Sequence, residues 1–205
     1  MPEAQRRFRS FFHMGLPLAS AIRYPEASGV GMPSVQHAVL IKAPQEPLFR
    51  LTQDYGLRLR WDPFLRQIRF LDGATEAAVG VRTWVRAWTG LTMEAVYTTL
   101  NSPDVVAMKM TRGPRLFSQF AGSWRLEPDP SDQTGRVKVT FRYSFTTRWP
   151  WLRRILDPIV AWVFQRDLRA RLLGLKHGAE TAGLLAQLPP IAVPLLASGQ
   201  TAPGR

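Results

Sequence analysis

RVKVTFRYSF (136–145) and RWPWLRRILDPIVAWVFQRDLRARLLGLK (148–176) lie two residues apart, and the hydrophobic period changes between them. In the first, Val137, Val139, Phe141, Tyr143 and Phe145 alternate with Arg136, Lys138, Thr140, Arg142 and Ser144, the period of a half-buried strand. In the second, Leu152, Ile155, Leu156, Ile159, Val163, Leu168, Leu172 and Leu175 recur at helical spacing. Asp157-Pro158 interrupts that run. As cap and first helical residue the pair would begin the main helix and leave 151–156 as a turn, the alternative being one kinked helix.

Upstream of this junction the period-two pattern repeats. Segments at 64–73, 78–88, 91–100, 104–110 and 115–128 alternate, separated by Asp72-Gly73, Thr89-Gly90, Asn101-Ser102-Pro103 and Arg112-Gly113-Pro114. Such short separators join antiparallel neighbours, whereas parallel strands need long crossovers. VQHAVLI (35–41) reads as one more strand. PQEPLFRLTQDYGLRLRW (44–61) reads as two short helices, with Pro44 at a helix start and Asp54 capping the second. The expected fold is α+β: a curved antiparallel sheet of about seven strands wrapped around a long C-terminal helix, with two short helices after the first strand. An amphipathic sheet must cover one face, and the final helix is the one element long enough to do so. A cavity is expected between them.

The 205 residues suffice for a single core. The absence of cysteine excludes disulfides and thiolate chemistry, and His13, His37 and His177 are too far apart in sequence to suggest a metal site. A net charge of +12 favours anionic partners. Its arginines are scattered, however, and no nucleic-acid-binding motif is present, which argues against nucleic acid. Residues 1–33 read as a weakly ordered leader, 34–188 as the domain and 189–205 as a proline-rich tail. The leader has the outline of a secretory signal ending at Ala19-Ser20-Ala21. His13, Gly15 and Pro17 break its apolar part, so the expected compartment is the cytoplasm, and Met14 or Met32 is an alternative start to Met1.

Three stretches carry a family resemblance: VLIKAPQEPLFRLTQD (39–54), RWDPFLRQIRFLDG (60–73) and GSWRLEPDPSDQTGRVKVTFRYSF (122–145) before a long helix. Residues 35–186 resemble the START-like, or SRPBCC, superfamily with the helix-grip fold, which includes polyketide cyclases and aromatases, coenzyme Q-binding proteins and lipid-transfer domains. The resemblance implies a pocket for a lipid, isoprenoid or quinone, or polyketide-like molecule. It implies no universal catalytic residue and places Trp61-Asp62-Pro63 near the pocket mouth, where Trp61 and Phe64 would touch ligand.

Strand parity supplies the other candidate ligand contacts. The inward sets are Ser118, Phe120, Gly122, Trp124 and Leu126; Leu91, Met93, Ala95 and Tyr97; Val106, Met108 and Met110; and the odd-numbered residues of 137–145. Thr83 shares one face with Val81 and Val85, opposite an Arg82–Trp84–Arg86–Trp88 ladder. The expected ligand-binding residues are thus Trp61, Phe64, Thr83, Met93, Tyr97, Met108, Phe120, Trp124, Phe141, Tyr143, Ile159 and Val163. No residue is assigned as catalytic and no cofactor or metal is expected. Glu94 falls on the outward parity, and His37 reads as a core residue. The expected function is binding or transport of a hydrophobic small molecule, the alternative a polyketide cyclase/aromatase-type enzyme using the same pocket. The surplus Trp149, Trp151 and Trp162, flanked by Arg148, Arg153 and Arg154, suggest transient contact with an anionic membrane surface.

Overall fold

The computed structural model describes residues 32–129 and 135–190. The expected leader and tail, apart from two residues of each, lie outside that range. β1 (Ser34–Ile41) leads into α1 (Gln45–Gln53) and α2 (Tyr55–Trp61). A meander follows: β2 (Leu65–Phe70), β3 (Arg82–Ala87), β4 (Thr92–Asn101), β5 (Val105–Arg112), β6 (Phe117–Pro128) and β7 (Val137–Thr147). α3 (Arg153–Glu180) follows a 3-10 turn at Pro150–Leu152. The sheet order is β1-β7-β6-β5-β4-β3-β2 with every pair antiparallel. β1 therefore closes against the last strand, and α1 and α2 carry the chain from one sheet edge to the other. Asp54 caps α2 as expected, its Oδ1 accepting from Leu57 N at 2.9 Å.

Of the two readings of the start of α3, the continuous helix is the one found: it runs through Pro158, so Asp157 is not its cap. Asp157 is instead buried and accepts a hydrogen bond from Thr147 Oγ1 at 2.9 Å, tying the helix to the end of β7. The buried stripe is Asp157, Val160, Ala161, Leu168, Leu172 and Leu175, while Ile155, Ile159 and Val163 are exposed. Apolar residues crowd every side of the helix before Phe164, so period alone selects no face there. Counting back by three or four residues from Leu175 through Leu172 and Leu168 reaches the true stripe.

β6 supplies a second correction. A register shift between Phe117 and Gln119 breaks the alternation, so Phe117 joins Phe120 on the inner side. Ser118, expected inward, is exposed and donates to Thr146 O. A bulge inverts side-chain parity, and parity counted through it misplaces every residue beyond. On the outer face Arg69, from the neighbouring β2, lies 5.0 Å from the Trp84 ring, and Arg82 clamps Asp72 through two hydrogen bonds. Trp88, past the end of β3, turns away from the ladder to the cavity side.

α3 meets the corner after α2 at two glycines. A methyl group at Gly174 would stand 2.2 Å from the Trp61 carbonyl oxygen, and one at Gly178 would stand 3.1 Å from Trp61 Cβ. Trp61 is itself fixed, donating Nε1–H to Leu51 O and meeting Trp124 edge-on. The Trp61 carbonyl is backbone and cannot swing aside. Gly174→Ala is therefore expected to destabilise the fold by about 2 kcal/mol or more, read as a lowered urea midpoint; an unchanged midpoint would contradict this packing.

Candidate functional site

Between the concave face of the sheet and α3 lies a chamber of about 1230 Å³. Its shape follows largely from strand parity, interrupted by the bulge in β6: the inward residues of β3 to β7 face α3, which bridges the opening. Val85, Met93, Met108 and Met110 form the β3–β5 wall. Phe117, Phe120, Tyr143 and Phe164 form an aromatic end, with ring centroids 5.0–5.7 Å apart. Trp124 stacks on Phe141 at 3.6 Å. Methionines give an adaptable surface, and the aromatics a rigid one.

One stretch of wall is polar. Asp62 is fully buried after α2, where its Oδ2 accepts from Arg171 Nη2 at 2.7 Å and Arg58 Nε at 3.3 Å. Asp62 Oδ1 also accepts from Phe64 N, which sets the corner leading into β2. Arg171 Nη1 donates to the Tyr143 hydroxyl at 2.5 Å, and Tyr143 in turn donates to Asp167 Oδ2 at 2.9 Å. The Arg171 guanidinium lies between Phe64 and Phe141, 4.9 Å from each ring centroid. Two arginines and two aspartates thus balance charge within a buried patch, the condition under which buried ions are tolerated.

Burial pushes the Asp167 carboxyl up to about 6; Arg171 pulls it down and Asp62 pushes it further up. Burial also holds the Tyr143 hydroxyl well above its ordinary range. For Arg171, burial acts to lower the pKa, but Asp62, Tyr143 and Asp167 outweigh it and the group stays protonated. Burial thus brings the Asp167 carboxyl within reach of neutral pH.

Of the twelve expected ligand contacts, the chamber wall gathers ten: Trp61, Phe64, Thr83, Met93 and Met108, with Phe120, Trp124, Phe141, Tyr143 and Val163. Tyr97 lies behind the wall, its hydroxyl shared with Tyr55 at 2.8 Å and Gln53 at 3.0 Å. Ile159 is 55% exposed on the outer side of α3 and lines no part of the chamber. His37 is half-buried; desolvation and then Arg169 lower its pKa, and it too lies off the wall.

Reading by strand parity missed Arg58, Phe117, Phe164, Asp167 and Arg171. For Asp167 and Arg171 a signal existed: a carboxylate and a guanidinium four residues apart, on the helical stripe that holds Leu168, Leu172 and Leu175. Among the described residues no group of three or more His, Cys, Asp or Glu could hold a metal ion.

The chamber mouth is apolar. Trp88, Leu91, Trp162, Val163 and Leu173 border it, all exposed. Exposed apolar residues continue along α3 to Ile159 and Ile155 and into the 3-10 turn before it, where Trp151 is 77% exposed. Among the described residues no helix is long and apolar enough to cross a membrane.

The fold is shared with proteins of known structure. A START superfamily protein from Mycobacterium smegmatis superposes with a TM-score of 0.59 at 12% identity, covering 73% of this chain and 98% of its own. Zhui aromatase/cyclase from Streptomyces sp. R1128 gives 0.56 at 19% identity, covering 74% and 98%. TTHA0849 from Thermus thermophilus gives 0.60 at 18% identity, covering 73% and 99%. No curated protein sequence matches the chain significantly. Residues 32–180 match the family described as polyketide cyclase / dehydrase and lipid transport. With a helix-grip fold enclosing an apolar chamber and a match over most of its length, the chain belongs to that family.

Proposed function

We propose that this chain is a cytoplasmic protein that binds one hydrophobic small molecule, of lipid, isoprenoid or polyketide-like character, in the chamber and exchanges it at an anionic membrane surface. The chamber carries this reading. Its volume exceeds the roughly 300–1,000 Å³ of pockets for drug-sized ligands, and its wall is chiefly aliphatic, aromatic and methionine. Apolar burial supplies about 25 cal/mol per Å² of ligand surface, so a long or polycyclic molecule gains most from such a wall.

The membrane half rests on the stripe beside the mouth. Trp149, Trp151, Ile155, Ile159 and Trp162 are exposed on the first turns of α3 and the segment just before it, with Arg148 and Arg154 exposed beside them. Aromatic rings with flanking arginines suit the headgroup region of an anionic leaflet, where each basic residue contributes about 1 kcal/mol.

A second reading, a cyclase/aromatase-type enzyme, is favoured by Asp167 alone. It is a buried carboxyl in the chamber wall, titrating at about 6 and hydrogen-bonded to a tyrosine, as a proton-transferring group requires. Turnover of an aromatic polyketide precursor that disappears in Asp167→Asn would establish it.

Three outcomes are expected. Native mass spectrometry of the protein purified from its own host shows a bound hydrophobic molecule; an empty protein would count against the carrier. Replacing Trp149, Trp151 and Trp162 together by alanine lowers co-sedimentation with phosphatidylserine vesicles several-fold, and unchanged sedimentation would remove the membrane half. The third concerns Asp167, whose folded pKa of about 6 stands above its unfolded value. Its ionisation therefore costs stability above pH 6, and that cost fades as the pH falls toward 4. Asp167→Asn is expected to stabilise the fold by about 1–3 kcal/mol at pH 8 and by little at pH 4. An equal effect at both values would show that the group does not titrate as described.

A further inference from the structure

The polar patch selects among hydrophobic ligands by what its hydrogen-bonding atoms leave unspent. A tyrosine hydroxyl has one proton to give and room for two to accept; an ionised carboxylate only accepts. Tyr143 gives its proton to Asp167 Oδ2 and accepts one from Arg171. Arg171 spends Nη2 on Asp62, and its Nε is buried without a partner or accessible surface. Arg58, farther along the wall, spends Nε on Asp62 and Nη1 on the Thr52 carbonyl, with its guanidinium against Trp61 and Trp124. What Tyr143 and Asp167 still offer is therefore accepting capacity: one Tyr143 lone pair and Asp167 Oδ1, which meets no donor among the described residues. The Asp167 side chain retains 11% exposure, and both residues line the chamber.

We infer that Tyr143 and Asp167 form a hydrogen-bond-accepting subsite, so that the molecule held in the chamber is one whose apolar body carries a hydroxyl group. This rests on the chamber being the ligand site and adds the chemical class of the ligand. A hydrocarbon leaves the subsite's acceptors dry and unpaired, and an ether or ketone brings a second acceptor against them. A hydroxyl donates to the Asp167 carboxylate, the stronger charge-assisted kind of bond. The groups facing Asp167 are Tyr143 from β7, Arg171 from its own helix and Asp62 from the corner after α2. Arg171 stays charged and Tyr143 neutral across the working pH range. Selection for a donor therefore changes as Asp167 gains a proton and becomes a donor itself.

The test is a fluorescence titration of the full chain with pyrene, hydroxypyrene and methoxypyrene, which share one ring system and differ in the donor. At about pH 7, hydroxypyrene is expected to bind at least about tenfold more tightly than either of the others. The gap over methoxypyrene narrows at about pH 5, where protonated Asp167 can donate to the ether oxygen. Asp167→Asn reduces the preference to about threefold or less, and Tyr143→Phe also weakens it. Equal affinity for all three in the unaltered protein overturns the subsite and leaves the chamber as a ligand site. Binding of none of them overturns both. The unaltered protein separates these outcomes even if a variant fails to fold.

Discussion

A single buried carboxylate, Asp62, joins the three parts of the molecule that surround the chamber. It receives Arg58 from α2, Arg171 from α3 and the backbone of Phe64 at the corner leading into β2. The long helix is thereby held at a fixed height over the sheet instead of collapsing onto it. Removing Asp62 would strand Arg58 and Arg171 as uncompensated buried charge, at a cost of about 3–5 kcal/mol. The close approach of Gly174 to the Trp61 carbonyl acts beside it, since a larger residue would push the helix away from that anchor. The open volume between sheet and helix depends on these two constraints together. Where they end, toward the mouth, α3 presents exposed apolar side chains instead of a packed stripe.

The architecture was legible because it is written in periodicity. Alternation from 35 to 145 and helical spacing after 151 identify the strands, their antiparallel neighbours and the covering helix, and the family resemblance pointed to the same element order. Most of the apolar wall followed from parity, as Met93, Met108, Phe120 and Phe141 illustrate. Parity failed where the backbone departs from regularity. The bulge in β6 turned Ser118 out and Phe117 in, and the crowded start of α3 hid which face was buried. Tyr97 had the right parity, but its hydroxyl is spent behind the wall on Tyr55 and Gln53.

The polar patch went unread for a different reason. Its members come from α2, the corner after it, β7 and α3, and Asp62 and Arg171, bonded directly, stand 109 residues apart in sequence. Their meeting is a tertiary fact that no local pattern encodes. Arginines at 58 and 171 look in sequence like the scattered, solvated arginines elsewhere in this basic chain, yet both are buried. What distinguishes Arg171 is its place on the stripe of Leu168, Leu172 and Leu175, where an unpaired cation would be untenable. A charged residue inside an otherwise apolar helical stripe is thus a sign that the fold supplies a counter-ion there. In this chain it supplies two carboxylates, Asp62 and Asp167, and the second lines the ligand chamber.

A crystal structure of the protein as purified from its own host tests the account most directly. It should show elongated or polycyclic density between Met108 and Phe164, with one polar end of the molecule within hydrogen-bonding distance of Tyr143 and Asp167. A chamber closed by its own side chains, or a molecule bound outside it, would contradict the claim that the space beneath α3 is built for a ligand.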